Sequence, residues 1–170
     1  MKTKTINQTV TFKVTPHEVY EMLMDSKKHA EIVGANAKIT KKVGDKFSIY
    51  DGEIEGVNID LEPDKKIVQS WRYSDWPEGH FSKATFLLEE SRGGTKLTFT
   101  QTEVPEDKHQ DVAQGWQDYY WQPMKELLEK YWGGTRLTFT QIEVPEDKYE
   151  DVTQGWQDYY WQPMKEILEK

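Results

Sequence analysis

Cysteine is absent from the 170 residues, which excludes disulfide bonds and thiolate metal sites. No apolar run approaches the roughly 20 residues that a membrane-spanning helix needs. The first residues, MKTKTINQTV, lack the apolar segment of a secretory signal peptide. Basic residues do not predominate, since 22 Lys and Arg stand against 30 Asp and Glu, a formal net charge of −8. We therefore expect a cytoplasmic protein with no nucleic-acid or membrane partner, because both of these anionic partners select basic surfaces.

Aromatic residues, in contrast, are abundant, and they predict a folded chain despite its 31% of charged residues. The last part of the sequence is a tandem repeat. Residues 93–130 and 133–170 align at an offset of forty with six differences. The six pairs are Lys96/Arg136, Thr102/Ile142, His109/Tyr149, Gln110/Glu150, Ala113/Thr153 and Leu127/Ile167. Because repeat arrays need about three or more units to bury a continuous core, two units indicate two candidates for one place in a fold.

Alternation of polar and apolar residues predicts seven strands. They fall near 3–14, 36–42, 46–50, 53–61, 66–73, 81–90 and 95–102. The apolar residues of each strand share one parity, which is typical of an antiparallel sheet with a single covered face. The residues expected on that face include Phe47, Ile49, Val57, Ile59, Leu61, Trp71, Tyr73, Ala84, Phe86, Leu88, Leu97 and Phe99.

Helices are predicted at two places. Thr15, Pro16 and Glu18 form a capping-box pattern after the first strand, and a second short helix follows that ends at Gly34. An amphipathic pattern over 107–131 then predicts a long helix that covers the sheet. Pro123 interrupts this pattern, so we expect a kink there.

A kinked aromatic helix on a curved sheet suggests a cavity, although such apolar stripes more often fill a core. The expected cavity residues are Trp71, Tyr73, Phe86, Leu88, Phe99, Trp116, Tyr120 and Met124. In the loop SDWPEGH (74–80), Trp76 stands beside Pro77 and either tucks into the mouth of the core or anchors a partner. The candidate partner-binding residues are Trp76 and Pro77, with Trp156, Tyr160 and Trp161 of the second copy.

The sequence offers little reactive chemistry. Its four histidines, His17, His29, His80 and His109, have no spacing that brings two to one metal ion, and the second copy replaces His109 with Tyr149. No zinc motif, phosphate loop, nucleophile elbow or dinucleotide fingerprint is present. Acidic residues between 51 and 64 fit a solvated edge better than a catalytic pair. We therefore expect no catalytic residue, no metal and no cofactor.

Two stretches carry a family resemblance: FSIYDGEIEGVNIDLEPDKKIVQSWRYSDWPEGHFS (47–82), and QGWQDYYWQPMKELLEKYW that follows GGTKLTFTQTEVPED. With the order of elements, they resemble the helix-grip fold of START and birch-pollen-allergen proteins. Within it, they resemble the C-terminal domain of the activator of heat-shock protein 90 ATPase. The resemblance covers residues 3–132. It implies an α+β fold in which a curved antiparallel sheet of about seven strands wraps on a long C-terminal helix, with two short helices after the first strand.

The resemblance also implies a function. We expect residues 1–132 to form a non-enzymatic binding module for a heat-shock-protein-90-type chaperone, another protein, or an apolar ligand. The alternatives are a small-molecule carrier, an enzyme of the cyclase or hydrolase type, and a conformational switch of natural or engineered origin. Eukaryotic activators carry a further N-terminal domain with the main chaperone-binding surface, and we expect no counterpart of it here.

Residues 133–170 lie outside the family pattern, and the implied sheet has one position for the last strand, between the first strand and the preceding one. Closing a loop of about 44 instead of about 4 residues costs roughly 2 kcal/mol, so we expect the nearer copy to occupy it. The surplus copy then has an apolar face to cover. We predict a homodimer through paired surplus copies, the alternatives being a disordered tail or docking on the outer face of the sheet.

Overall fold

The computed structural model describes residues 1–132, 137 and 139–168, and the chain divides into two compact units, Met1–Gly134 and Thr135–Lys170. The first unit is an α+β domain. Its strands are β1 (Thr3–Phe12), β2 (Ala37–Lys38), β3 (Lys46–Ile49), β4 (Ile54–Glu62), β5 (Lys66–Tyr73), β6 (Ser82–Ser91) and β7 (Gly94–Pro105). Its helices are α1 (Pro16–Met24), α2 (Ser26–Val33), α3 (His109–Trp116) and α4 (Gln122–Trp132). None of the helices in the described ranges has the length and apolar content that crossing a bilayer requires.

The strands form one antiparallel sheet in the order β1-β7-β6-β5-β4-β3-β2. β7 lies between β1 and β6, where Phe99 is in register with Gln8 on one side and Phe86 on the other. The nearer copy of the repeat therefore supplies the inner strand, as the loop-closure argument predicts.

The start of the helical region follows local sequence rules. The Thr15 side chain accepts from the Glu18 N–H, and the Thr15 N–H donates to the Glu18 carboxylate at 2.7 Å, which confirms the capping box. The second short helix is capped by Asp25, whose carboxylate accepts from the N–H groups of Lys27 and Lys28 at 3.0 Å. Gly34 ends it in the left-handed region at φ 65°, as expected for a C-terminal cap.

The long helix departs from the α-helical pattern in the turn just before Pro123. Residues Gln117–Trp121 form a π-helical turn, in which the N–H of Gln122 donates to the carbonyl of Gln117. Proline has no N–H for the carbonyl four residues earlier, and its ring would collide with that group in a regular helix. A widened turn relieves this conflict, and a π-bulge therefore precedes the position where the kink is expected.

The expected inward parity of β4 is wrong. Ile54, Gly56 and Asn58 are buried, whereas Ile59 is exposed and Val57 and Leu61 are only half-buried. An added Cβ on Gly56 would lie 1.8 Å from the Ser70 carbonyl oxygen and 2.7 Å from the Phe47 ring, so this position requires glycine.

The buried Asn58 is held by partners distant in sequence. Its amide donates to the carbonyls of Thr40 and Lys42 and accepts from Gln69. These bonds fix the loop before β3 and help to explain why β2 is shorter than the expected 36–42. Beyond Lys38, the Ile39 N–H donates to the Ser26 hydroxyl and the Ile39 carbonyl accepts from it, each at 2.9 Å, and Ile39 does not pair in the sheet.

Aromatic rings join the long helix to the sheet. Trp116 contacts Phe99 at 4.5 Å and stacks on Trp121 at 5.4 Å between ring centroids. Both indole N–H groups donate into the sheet: Trp116 to Gln101 at 2.8 Å and Trp121 to Gln8. Because burying such side chains contributes about 1.5–3 kcal/mol each, this cluster holds the helix on the sheet.

The second unit repeats the internal geometry of the first copy. It contains a 3₁₀ turn, two helices and a π-helical turn: Glu146–Lys148, α5 (Tyr149–Trp156), α6 (Gln162–Leu168) and Gln157–Trp161. Trp156 donates to Gln141 at 2.8 Å and lies 4.4 Å from the Phe139 ring, matching Trp116 with Gln101 and Phe99. Residues 137 and 139–142, the described counterparts of 97 and 99–102 in β7, are not in a strand.

Candidate functional site

A cavity of about 460 Å³ opens between the long helix and one end of the sheet. β4 and β5 supply one side, α3 and the π-helical turn supply the other, and the turn after β3 closes one edge. The lining residues are Tyr50, Glu53, Ile54, Trp71, Tyr73, Asp75, Trp76, Lys108, Asp111, Val112, Gly115, Trp116, Tyr119 and Tyr120.

Three tryptophans form the apolar wall. Trp71 points inward from β5 and is in register with Gly56 of β4, where an added Cβ would collide with the Phe47 ring and the Ser70 carbonyl oxygen. Trp76 folds back after β5 and meets Trp71 edge to face at 5.3 Å, while Trp116 lies 5.9 Å from Trp71 on the helical side. Arg72 fixes the turn by donating to the Trp76 carbonyl at 3.1 Å. Edge-to-face contacts at these spacings favour a rigid wall.

Tyr50 enters the cavity from an unusual backbone conformation. It and Asp51 have φ values of 52° and 54°, in the left-handed region that non-glycine residues seldom adopt. Asn36 supports the turn by donating to the Asp51 carboxylate at 2.9 Å. Burial raises the pKa of Tyr50, with smaller contributions from Tyr119 and Glu53, so its hydroxyl is neutral at physiological pH.

The rim of the cavity is acidic. Glu53, Asp75 and Asp111 face a single cation, Lys108, so the four lining charges sum to −2. Lys108 donates to Asp75 at 2.6 Å, and this hydrogen bond raises the pKa of Lys108. The Tyr73 hydroxyl donates to Glu53 at 2.9 Å, which raises the pKa of Tyr73. Two of the three carboxylates are therefore already engaged.

The deep end of the cavity carries unpaired polar atoms. Trp71 Nε1 and the Tyr120 hydroxyl are buried without a hydrogen-bond partner among the described residues. Both side chains also line an adjoining recess of about 10 Å³, which His29 shares. Burial raises the pKa of Tyr120 far above its usual range.

His29 forms the floor of that recess in a defined protonation state. Its Nδ1 lies 2.9 Å from the Leu23 carbonyl oxygen, which only accepts, so Nδ1 carries the proton. Nε2 is buried with no partner among the described residues. Burial lowers the pKa of His29 to about 4, so the ring is neutral at pH 7 and Nε2 is an acceptor.

The structure separates the expected cavity residues into two groups. Trp71, Tyr73, Trp116 and Tyr120 line the cavity. Phe86, Leu88, Phe99 and Met124 do not line it, and Phe86 reaches only the recess. Phe86, Leu88 and Phe99 have the expected inward parity in their strands, but all four side chains are buried in the core. Parity gives the face of a sheet on which a side chain lies but not its distance from the open end.

The expected partner-binding residues are also divided. Trp76 is 3% exposed, so it forms part of the wall and, where it lies, is no anchor for a partner, whereas Pro77 is exposed. In the second unit Tyr160 is 53% exposed, against 4% for its counterpart Tyr120. Trp156 and Trp161 are half-buried against each other at 5.3 Å.

Several lining residues were missed at the level of sequence. Lys108 and Asp111 belong to the polar start of a helix, and Glu53 was assigned to a solvated edge. Tyr50 follows a strand in the segment IYDG, where Asp51-Gly52 marks a turn but nothing indicates the left-handed tyrosine. Only the turn signal could have drawn attention to this edge.

Neither histidines nor acidic side chains converge on a metal site within the described residues. His17 pairs with Asp64 at 3.0 Å, and His80 and His109 bond to the backbone carbonyls of Glu103 and Thr5.

A curved seven-stranded antiparallel sheet with a long helix across one face defines the helix-grip class of proteins. The pattern of the family described as "Activator of Hsp90 ATPase homolog 1-like protein" matches residues 13–129, and the chain belongs to that family. The activator of 90 kDa heat shock protein ATPase homolog 1 of Homo sapiens is 34% identical over 116 residues, 68% of this chain and 34% of the relative. The chain thus spans about a third of the length of the curated relatives it matches.

Solved structures share the fold. An HSP90 activator from Plasmodium falciparum superposes with a TM-score of 0.70 at 24% identity, covering 73% of this chain and 95% of that one. The Aha1 dimer of Colwellia psychrerythraea superposes with a TM-score of 0.66 at 20% identity, covering 74% and 96%. These likenesses confirm the fold class that the sequence predicts.

Proposed function

We propose that this protein is a non-enzymatic, cytoplasmic binding module whose helix-grip cavity takes an apolar small molecule. The cavity itself carries the proposal. Its volume of about 460 Å³ lies within the range of about 300–1,000 Å³ that is typical of ligand sites, and its wall is aromatic with a few buried polar atoms.

The lining residues support binding rather than catalysis. The set contains no serine, threonine, cysteine or histidine, so it lacks the pairing of a hydroxyl or thiol nucleophile with a histidine base. Glu53 and Asp75 accept hydrogen bonds from Tyr73 and Lys108 and stand on the solvent side. A cyclase or hydrolase would need a reactive group directed at the substrate.

The repeat provides a matched test of cavity binding. Gly115 lines the cavity, and a Cβ added there would meet only the Tyr119 ring at 3.8 Å, an ordinary contact. Gly115→Leu should therefore fill the cavity without disturbing the backbone. Gly155→Leu makes the same change in the second copy, where nothing lies within 4 Å of the new Cβ. Calorimetric titration with a naphthalene probe should show binding by the wild type and Gly155→Leu and at least about tenfold weaker binding by Gly115→Leu. Equal affinities would place the probe elsewhere.

A second candidate function is binding of a heat-shock-protein-90-type chaperone. Family membership and the human relative, named as an activator of that ATPase, favour it. Exposed Pro77 and the aromatic residues Trp156, Tyr160 and Trp161 are the proposed contact points. Addition of the full chain to a cognate chaperone should raise its ATP turnover. Absence of both stimulation and cross-linking would remove this candidate.

We propose two roles for the surplus unit, beginning with self-association. Three of its side chains show the apolar surface: Phe139 is 44%, Met164 43% and Tyr160 53% exposed, while their counterparts in β7 and the long helix are buried. Such a surface favours a partner. Pairing between the surplus units of two chains would make a homodimer through one isologous interface.

The second role is competition for the inner strand position. All six differences between the copies fall, in the first unit, on exposed or half-buried positions. Every buried residue of the nearer copy is therefore repeated unchanged in the farther one. These residues are Thr95, Leu97, Phe99, Gln101, Val104, Pro105, Trp116, Tyr120, Trp121, Met124 and Leu128. The farther copy thus keeps the surface that fits the sheet, and the longer loop sets the main energy difference between the two arrangements.

A further inference from the structure

The polar atoms at the deep end of the cavity point to a chemical class of ligand, an inference that rests on the proposed function. Elsewhere in the core, indole N–H groups are paired: Trp116 with Gln101 and Trp121 with Gln8. Trp71 Nε1, the Tyr120 hydroxyl and His29 Nε2 have no partner among the described residues, yet all are buried. Buried polar groups are nearly always hydrogen-bonded, so three unpaired atoms around one recess call for a ligand that pairs with them.

The three atoms define a complementary group. Trp71 Nε1 only donates, His29 Nε2 only accepts because Nδ1 donates to Leu23, and the Tyr120 hydroxyl does either. A hydroxyl group donates and accepts through one oxygen, so its chemistry matches both an indole donor and an imidazole acceptor. A carboxylate only accepts and an ammonium only donates, so each would leave one of these atoms unpaired.

Size and charge agree with this assignment. The recess of about 10 Å³ accommodates a group about the size of one water molecule, which fits a hydroxyl and excludes a carboxylate. No lysine or arginine lines the recess, so an anion there would be buried without a counter-charge. At the rim, three carboxylates outnumber the single lysine and repel anions on entry.

We propose that the cavity selects an uncharged, planar, apolar molecule that carries a hydroxyl group, such as a phenol or a fused-ring alcohol. Its ring system lies against the wall that Trp71, Trp76 and Trp116 form. Its hydroxyl group occupies the recess formed by Trp71, Tyr120 and His29.

Three probes of similar size test the class in the full-length protein: 2-naphthol, 2-methylnaphthalene and 2-naphthoate, titrated at pH 7 by calorimetry. We expect 2-naphthol to bind about tenfold more tightly than 2-methylnaphthalene, because its hydroxyl forms the missing hydrogen bonds. We expect 2-naphthoate to bind the most weakly. If no probe binds, the proposed ligand-binding function itself fails. If the three bind equally, or the naphthoate binds best, the cavity binds ligands but the hydroxyl assignment is overturned.

Matched variants locate the hydroxyl. Tyr120→Phe removes the buried phenol oxygen with almost no change of shape, and Tyr160→Phe makes the same change in the second unit. Tyr120→Phe should reduce the preference for 2-naphthol over 2-methylnaphthalene several-fold and leave the affinity for 2-methylnaphthalene unchanged. Tyr160→Phe should alter neither. The indole N–H resonance of Trp71, assigned through Trp71→Phe, should shift with 2-naphthol and not with 2-methylnaphthalene. The assigned position of the ligand hydroxyl would be contradicted if Tyr120→Phe and Tyr160→Phe preferred 2-naphthol over 2-methylnaphthalene to the same extent. It would also be contradicted if 2-naphthol left the Trp71 indole N–H resonance unshifted.

Discussion

Phe99 and its copy Phe139 allow the competition between the two strand–helix copies to be measured. Phe99 is fully buried in β7, and its ring lies 5.0 Å from Phe86 and 5.4 Å from Trp121. Removing a buried phenylalanine ring costs about 3–5 kcal/mol, and placing an unpaired carboxylate there adds several more. Phe99→Asp should therefore destabilise the nearer arrangement by about 6 kcal/mol or more, comparable with the whole stability of a typical domain.

If the farther copy replaces the nearer one in the sheet, the loss in the free energy of unfolding is smaller. In the structure only residues 92–93 separate β6 from β7, whereas the exchanged arrangement leaves 92–133, about 42 residues, as the connection. By the logarithmic rule this lengthening costs about 3 kcal/mol. Ala113→Thr and Leu127→Ile, the equivalents of two half-buried differences, add about 1 kcal/mol. Phe99→Asp in the full chain should thus lose about 4 kcal/mol rather than 6 or more.

A double-mutant cycle in the full chain measures the difference by urea unfolding. Phe139→Asp alone should change the free energy of unfolding by less than about 0.5 kcal/mol, because Phe139 is 44% exposed. The double variant should lose at least about 2 kcal/mol more than Phe99→Asp, since neither copy can then fill the position. Equal unfolding free energies for Phe99→Asp and the double variant would refute the exchange of copies and show that the second copy does not enter the sheet.

Three further predictions concern stability and assembly. Gly56→Ala should cost about 3 kcal/mol in chemical denaturation because the new methyl group collides with backbone, while Gly155→Ala, in open space within α5, should cost no stability. Because burial lowers the pKa of His29 to about 4, the unfolded state binds more protons than the folded state at mildly acid pH. The free energy of unfolding should therefore have its full value above about pH 6.5 and fall by roughly 3 kcal/mol as the pH drops to about 4. His29→Gln should flatten this pH profile, and an unchanged profile would contradict a buried neutral ring. Light scattering should show a dimer of the full chain that Met164→Asp, at a 43% exposed position, converts to monomer; a wild-type monomer would end the dimer proposal.

Local signals accounted for much of the fold. The capping box at Thr15 and the left-handed end of α2 at Gly34 depend on residues close in sequence, and both form as expected. Parity located the buried side of β5 and β6 because a flat strand alternates strictly. It failed in β4, where the register shifts between Asn58 and Asp60 and the Asn58 amide donates to the Thr40 and Lys42 carbonyls of the loop before β3.

The candidate site was less predictable for the same kind of reason. Trp71 and Trp116 could be named from strand and helix periodicity, but nothing in the pattern tells a wall residue from a core residue such as Phe99. Tyr50 reaches the cavity only because its turn adopts a left-handed conformation. The proton on His29 is fixed by a carbonyl six residues away, at Leu23, once both are buried. Each of these features arises from a contact rather than from composition.

By itself, the sequence determined the class of fold, the family and the presence of two equivalent strand–helix segments, because periodicity, capping residues and near-identity are properties of the order of residues. Tertiary structure decided which copy is the inner strand, where the aromatic wall ends and the open cavity begins, and which polar atoms remain unpaired. Those outcomes depend on loop length, register shifts and the distances between side chains that are remote in the chain. They take effect only when the sheet and the long helix have closed on each other.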